Sequence, residues 1–265
     1  MCGKQPAAGQ PLVGRRILVT RRLEQSKTLA DGLRSLGAEV VVVPAIEVAL
    51  PEDPGPLDRA LADLGGLDWL IFTSANAVAA VADRIRVLGV GDEDLRSVRV
   101  ASVGPSTSRA FAEGFGGRPV DLEPAGDYQA TGLAAALLAE PGGVAGLRFL
   151  LPTSDRAGDR LTVPLRRQGA QVTVVVAYRT LPAPGLASRL RGLAGEIDLV
   201  CLASPSAASA VAAAWPGPLE GLKAAVIGDE TGAAARAAGM YVEVVARPST
   251  AAGLIAAISG LTPPP

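Results

Sequence analysis

The chain has 265 residues, a net charge of −1 and no histidine. Lacking a basic field, it is not suited to nucleic acid or an anionic membrane. Lacking imidazole, it has no histidine triad, no histidine-held metal and no imidazole proton transfer.

Short apolar runs alternate with alanine- and leucine-rich stretches along the whole chain. In order, the strand-like runs are Ile17 to Thr20, Val40 to Val48, Trp69 to Phe72, Val98 to Val103, Phe149 to Leu151, Val172 to Ala177, Leu199 to Leu202, Ala224 to Ile227 and Val242 to Val245. Helical spacing fills most of the intervals, as in Gln25 to Leu36 and Thr231 to Ala238. This alternation predicts βαβ units and parallel sheets covered on both faces. Gly132 to Ala139 and Ala207 to Trp215 are too short to cross a membrane and read as helices. Residues 1 to 14 lack the apolar core of a secretory signal, so a cytoplasmic location is expected. The tail from Thr262, ending in three prolines, is expected to be disordered. Cys2 falls on a frayed terminus and Cys201 in an apolar run, which predicts neither a disulfide nor a metal set.

The chain also repeats itself. Arg16, Leu29, Leu33, Gly37 and Ala38 recur as Arg148, Leu161, Leu165, Gly169 and Ala170. Asp68, Ser74, Ala77 and Val81 recur as Asp198, Ser204, Ala207 and Val211; Gly104 and Thr107 recur as Gly228 and Thr231. Two similar α/β domains are therefore expected. The run Glu39 to Leu50 is about twice an ordinary strand. It and its mate, Gln171 to Thr180, read as strands long enough to leave one domain and enter the other. Two consecutive domains with long edge strands fit the periodicity equally well.

In open parallel sheets, ligands bind at the carboxyl ends of the strands. Here those loops carry small hydroxyl residues: Thr73-Ser74, Gly104-Pro105-Ser106-Thr107, Ser204-Pro205-Ser206 and Pro248-Ser249-Thr250. Each can cap a helix. Several together offer hydroxyls and helix N–H groups to carboxylates without much positive charge. Phosphate-loop motifs are absent, and Asp92, Glu93 and Asp94 read as a solvated helix start. Tyr178 closes a long apolar run and is the best proton donor in a chain without histidine.

The segments DWLIFTSANAV (68 to 78), VASVGPSTSRAF (100 to 111), GDRLTVPLRRQGAQVTVVVAYRTLP (158 to 182), DLVCLASPSAASAV (198 to 211) and AAVIGDETGAAARAAG (224 to 239), in this order, resemble the uroporphyrinogen-III synthase family. The resemblance implies two flavodoxin-like α/β lobes joined by a two-stranded β-ladder, with the active site in the cleft. Residues 1–45 with 181–265 would form the first lobe and residues 46–180 an inserted second lobe. It implies a cofactor-free, metal-free lyase that cyclises and dehydrates the linear tetrapyrrole hydroxymethylbilane through a spiro intermediate, inverting ring D. Tyr178 matches the family tyrosine that assists departure of the hydroxyl. Thr107 and Thr231 match the threonines of the family's two Gly-x-x-Thr loops, which begin at Gly104 and Gly228, and Ser74 and Ser204 match its strand-end serines; these residues and Thr73 are expected to donate hydrogen bonds to substrate carboxylates, and Arg21 and Arg160 to pair with others. Asp229 and Glu230 depart from the family pattern and are expected to face solvent. A monomer that meets the preceding bilane-forming enzyme transiently is also expected. The alternative is a non-catalytic tetrapyrrole-binding or regulatory relative using the same cleft.

Overall fold

The computed structural model describes residues 10–193 and 195–261; Cys2 and the tail from Thr262 lie outside them. In chain order the elements are β1 (Arg16–Val19), α1 (Leu23–Ser35), β2 (Glu39–Val42), β3 (Ile46–Ala49), α2 (Gly55–Ala62), β4 (Trp69–Phe72), α3 (Ala75–Leu88), α4 (Asp92–Ser97), β5 (Arg99–Ser102), α5 (Pro105–Gly114) and α6 (Ala130–Leu138). There follow β6 (Arg148–Ser154), α7 (Thr162–Arg167), β7 (Gln171–Pro182), α8 (Leu186–Arg191), β8 (Leu199–Leu202), α9 (Pro205–Ala214), β9 (Lys223–Val226), α10 (Asp229–Ala237), β10 (Tyr241–Val245) and α11 (Ala251–Ser259).

The strands form two five-stranded sheets, ordered β10-β9-β8-β1-β2 and β3-β7-β6-β4-β5. Strands β1, β2, β8, β9 and β10 pair in parallel, as do β4, β5, β6 and β7. The chain divides into two compact units: residues up to Glu47 with those from Leu181 onward, and Val48–Thr180. The boundaries thus fall inside β3 and β7.

Each sheet is covered on both faces, which is why its strands read as unbroken apolar runs. In the Val48–Thr180 unit, Leu70, Phe72, Val100 and Leu150 face α2, α3 and α5, while Trp69, Ile71, Phe149 and Leu151 face α6 and α7. In the other unit, Leu18, Val200, Leu202 and Val226 face α8, α9 and α10, while Ile17, Val19, Leu199 and Cys201 face α1 and α11. The period of two along each strand divides these side chains between the faces.

Residues matched by the repeat occupy equivalent places. Asp198, just before β8, accepts from the backbone N–H of Arg16 at the start of β1 at 2.7 Å. Asp68, just before β4, accepts from that of Arg148 at the start of β6, also at 2.7 Å. The equivalence lapses at the sheet edge. Where one unit has β10, the other has only an isolated bridge between Ala101 and Leu122.

The structure corrects one expectation. The run Glu39 to Leu50 is not a single long strand but β2 and β3, broken at residues 43–45. Pro44 lies in the break, and a proline has no N–H to give to a ladder. β2 lies beside β1, and β3 lies beside β7 in the other sheet. Its mate β7 does run on, through 12 residues.

Candidate functional site

The parallel pairing brings the ends of β4, β5, β6 and β7 to one edge of the Val48–Thr180 unit. Ser74 follows β4 in extended conformation and caps α3, its Oγ accepting from the Ala77 N–H at 3.1 Å. Tyr178 pairs with Ser154 at the end of β6 and is only 8% exposed. Its phenol oxygen lies 3.0 Å from Ser74 Oγ. A buried phenol ordinarily keeps a hydrogen-bond partner, and here that partner is a residue expected to meet substrate directly. Thr73 is half-buried beside Ser74. The Asp155 N–H donates to the carbonyl of Tyr178 at 3.2 Å. Arg179, the next residue along, forms an ion pair with Glu52.

The loop after β5 is built differently. Gly104 is the N-cap of α5, and no side chain accepts from the first turn of that helix. Its φ of 164° is ordinary extended backbone, so the glycine is there for space. A Cβ on Gly104 would come within 2.9 Å of the Tyr128 ring. Tyr128 itself is 53% exposed, and nothing in the spacing of the sequence marked it as a neighbour of this loop. Thr107, one turn in, is 4% exposed, yet its hydroxyl bonds to no described residue. Beneath the loop, the buried Ser102 hydroxyl meets Ser108 Oγ at 2.6 Å, and Ser108 donates to the Glu123 carboxylate.

The other unit repeats the pattern at the ends of β8 and β9. Ser204 caps α9, accepting from the Ala207 N–H at 3.1 Å. Gly228 is the N-cap of α10, again with no side-chain acceptor, and a Cβ there would come 2.8 Å from Ser249 Oγ. Thr231 is 3% exposed, and its hydroxyl also bonds to no described residue. Among the described residues no phenol hydrogen-bonds to Ser204. Asp229 and Glu230 are both exposed, and Asp229 pairs with Arg247 at 3.1 Å.

Arg21 follows β1 at this same edge, half-buried and without an acidic partner among the described residues. Burial first, and the like charge of Arg22 second, lower its pKa from the ordinary guanidinium value. A desolvated cation of this kind gains most when an anion arrives. Arg160 is exposed, after β6 in the Val48–Thr180 unit.

Two units therefore each present a glycine-capped helix N-terminus with a buried threonine in its first turn. Such edges bind carboxylates. The Val48–Thr180 unit alone adds a phenol that can give up a proton. Among the described residues no group of three or more Cys, Asp or Glu side chains is placed to hold a metal ion. Cys201 is buried, and burial pushes its thiol up to about 12. No helix among the described residues is long and apolar enough to cross a membrane.

Comparison with known proteins gives a consistent picture. The family model described as "Uroporphyrinogen-III synthase HemD" matches residues 27–256. The chain is 33% identical over 267 aligned positions to the uroporphyrinogen-III synthase of Synechococcus elongatus, covering 95% of this chain and 97% of that one. Among solved structures, a mutant uroporphyrinogen III synthase from the extremely thermophilic bacterium Thermus thermophilus superposes with a TM-score of 0.63 at 21% identity, covering 92% of this chain and 96% of that one. The uroporphyrinogen-III synthetase of Helicobacter pylori gives 0.61 at 16% identity, covering 91% and 97%. Both superpositions share the α/β fold.

Proposed function

The chain belongs to the uroporphyrinogen-III synthase family, its reaction is that of a cyclising lyase of heme biosynthesis, and we propose that the Tyr178 edge carries out the chemistry. In this reading the two units are the flavodoxin-like lobes of the family fold. The strand order of the first sheet, taken from its β2 edge, supports this: it is the 2-1-3-4-5 order of that fold. β3 and β7, each crossing a unit boundary, form the ladder that joins the lobes.

The substrate, hydroxymethylbilane, is a flexible polycarboxylate whose terminal hydroxyl must leave as water. Tyr178 is the acid: it passes its proton to that hydroxyl as the carbon–oxygen bond breaks. The azafulvene left behind is attacked by the substituted carbon of ring D, giving the spiro intermediate, which fragments and recloses with ring D inverted. The helix N-termini that follow Gly104 and Gly228, the hydroxyls of Thr73, Thr107, Ser204 and Thr231, and the guanidiniums of Arg21 and Arg160 hold acetate and propionate groups. Holding one conformation is worth about 7–11 kcal/mol in well-oriented reactions, and a general acid adds roughly 10²- to 10⁴-fold. The chain acts as a monomer in the cytoplasm and meets the bilane-forming enzyme transiently.

The observation that carries this reading is the placement of Tyr178. A nearly buried phenol stands at the carboxyl edge of a parallel sheet, on the same edge as a glycine-capped helix N-terminus. A coupled assay from porphobilinogen and a bilane-forming enzyme tests it. The type III porphyrinogen is expected with the wild-type chain, and Tyr178→Phe is expected to lower kcat by about 100-fold or more. Accumulation of the type I isomer alone with the wild-type chain would overturn the assignment.

A further inference from the structure

We propose that Ser74 is a positioning residue that fixes the direction of the Tyr178 O–H, an inference that rests on the tyrosine reading above. A serine hydroxyl has one hydrogen to give and two lone pairs. One lone pair of Ser74 Oγ already accepts from the Ala77 N–H at 3.1 Å, at the positive end of the 14-residue helix α3. An oxygen that accepts from a helix N-terminus is polarised into a better donor and a poorer acceptor. In the contact with Tyr178 at 3.0 Å, Ser74 therefore donates and the phenol oxygen accepts. The phenol hydrogen is then not used within the protein. It is left to the substrate.

The same bond supports the phenol after it has reacted. The proton leaves Tyr178 Oη for the substrate hydroxyl, the carbon–oxygen bond breaks, and its electron pair departs on water. The phenolate is held by the Ser74 O–H, and through it by the α3 N-terminus. It recovers a proton from the pyrrole carbon that loses its hydrogen when the last ring regains aromaticity. The overall change is loss of one water, and no other reactant is required. Ser204 provides the internal comparison: the cap is the same, with φ −162° and ψ 157° against −160° and 151°, but its oxygen serves the helix alone. The serines match, and only one has been coupled to a phenol.

The test is a kinetic cycle on Ser74→Ala, Tyr178→Phe and the double variant, with Ser74→Asp and Ser74→Thr beside them. Ser74→Asp retains a good helix cap but has no hydrogen for the phenol, so a folded enzyme is available even if Ser74→Ala is not. A hydrogen bond to a charged group supports a loss of kcat of about 10- to 100-fold in Ser74→Ala and Ser74→Asp. In Ser74→Ala KM stays within about threefold, and Ser74→Thr restores kcat to within about threefold. In the Tyr178→Phe background, Ser74→Ala costs less than about threefold. A tenfold or greater loss in that background, or a raised KM with kcat intact, overturns the role given to Ser74 and leaves the tyrosine standing. A Tyr178→Phe enzyme with full kcat overturns the tyrosine reading and this inference with it.

Discussion

Two glycines inside helices give the sharpest stability prediction. Gly132 is the third residue of α6 and Gly253 the third of α11. Helix propensity alone says that alanine should gain about 1 kcal/mol at such sites. The structure reverses the sign. A Cβ on Gly132 would lie 2.1 Å from the carbonyl oxygen of Asp127, and one on Gly253 2.1 Å from that of Pro248. A backbone carbonyl cannot rotate aside, so loop or helix must move by roughly 1 Å, near the upper end of the overpacking range of about 1–3 kcal/mol. After the propensity gain, each substitution is expected to cost about 2 kcal/mol. Gly114, the last residue of α5, is the control: its Cβ would meet Ala82 Cβ at an ordinary 3.7 Å. Gly114→Ala should gain up to about 1 kcal/mol. Urea unfolding of the three variants measures the differences, and Gly132 and Gly253 report on different units. The damage should also reach the site, because Tyr128, next to Asp127, packs over Gly104. A raised KM and more type I product are expected of Gly132→Ala. If both variants equal or exceed the wild type in stability, the close-approach argument is wrong.

Three further outcomes follow from the same geometry. Arg21→Met should raise KM about tenfold while raising stability by about 0.5–1 kcal/mol in urea, since it removes a desolvated cation that also feels the like charge of Arg22; a loss of stability would show that Arg21 is held by the fold instead. Replacing Asp229 and Glu230 together by serine and threonine should change KM less than about threefold, because both face solvent and Asp229 is offset by Arg247; a tenfold fall in KM would refute this. The Cys201 thiol is raised from 9.0 to about 12 in the folded chain. The unfolded thiol therefore loses its proton first, and stability should fall as pH rises from about 9 toward 12. Cys201→Val should flatten that fall in a series of urea titrations, and an unchanged slope would count against burial as its cause.

The sequence made the α/β alternation and the duplication plain because both rest on periodicity, which survives without knowledge of contacts. The helix at Ala207 to Trp215 and the strands at Trp69 and Leu199 needed nothing more. Pro44 was visible within its run, but its nine apolar neighbours outweighed it, and the break in the strand went unread. At the site, Ser74 and Ser204 could be picked out as caps from their place between strand and helix. The hydrogen bond from Ser74 to Tyr178 joins residues 104 positions apart, and no local pattern encodes such a pair. The same holds for Tyr128 over Gly104 and for the link from Ser102 through Ser108 to Glu123. These are contacts of tertiary structure, made by residues whose types are individually common.

The interruption at Pro44 bears on how the chain survives its own synthesis. β1 lies between β2 and β8 in its sheet, and β8 begins only at Leu199. A nascent chain must therefore carry the β1–β2 pair with one side of β1 unpaired until about 150 further residues have emerged, while the contiguous Val48–Thr180 stretch is already complete. An uninterrupted β-branched segment left waiting that long would be a template for cross-β association. The imino acid acts as a gatekeeper there, limiting the waiting strand β2 to four residues.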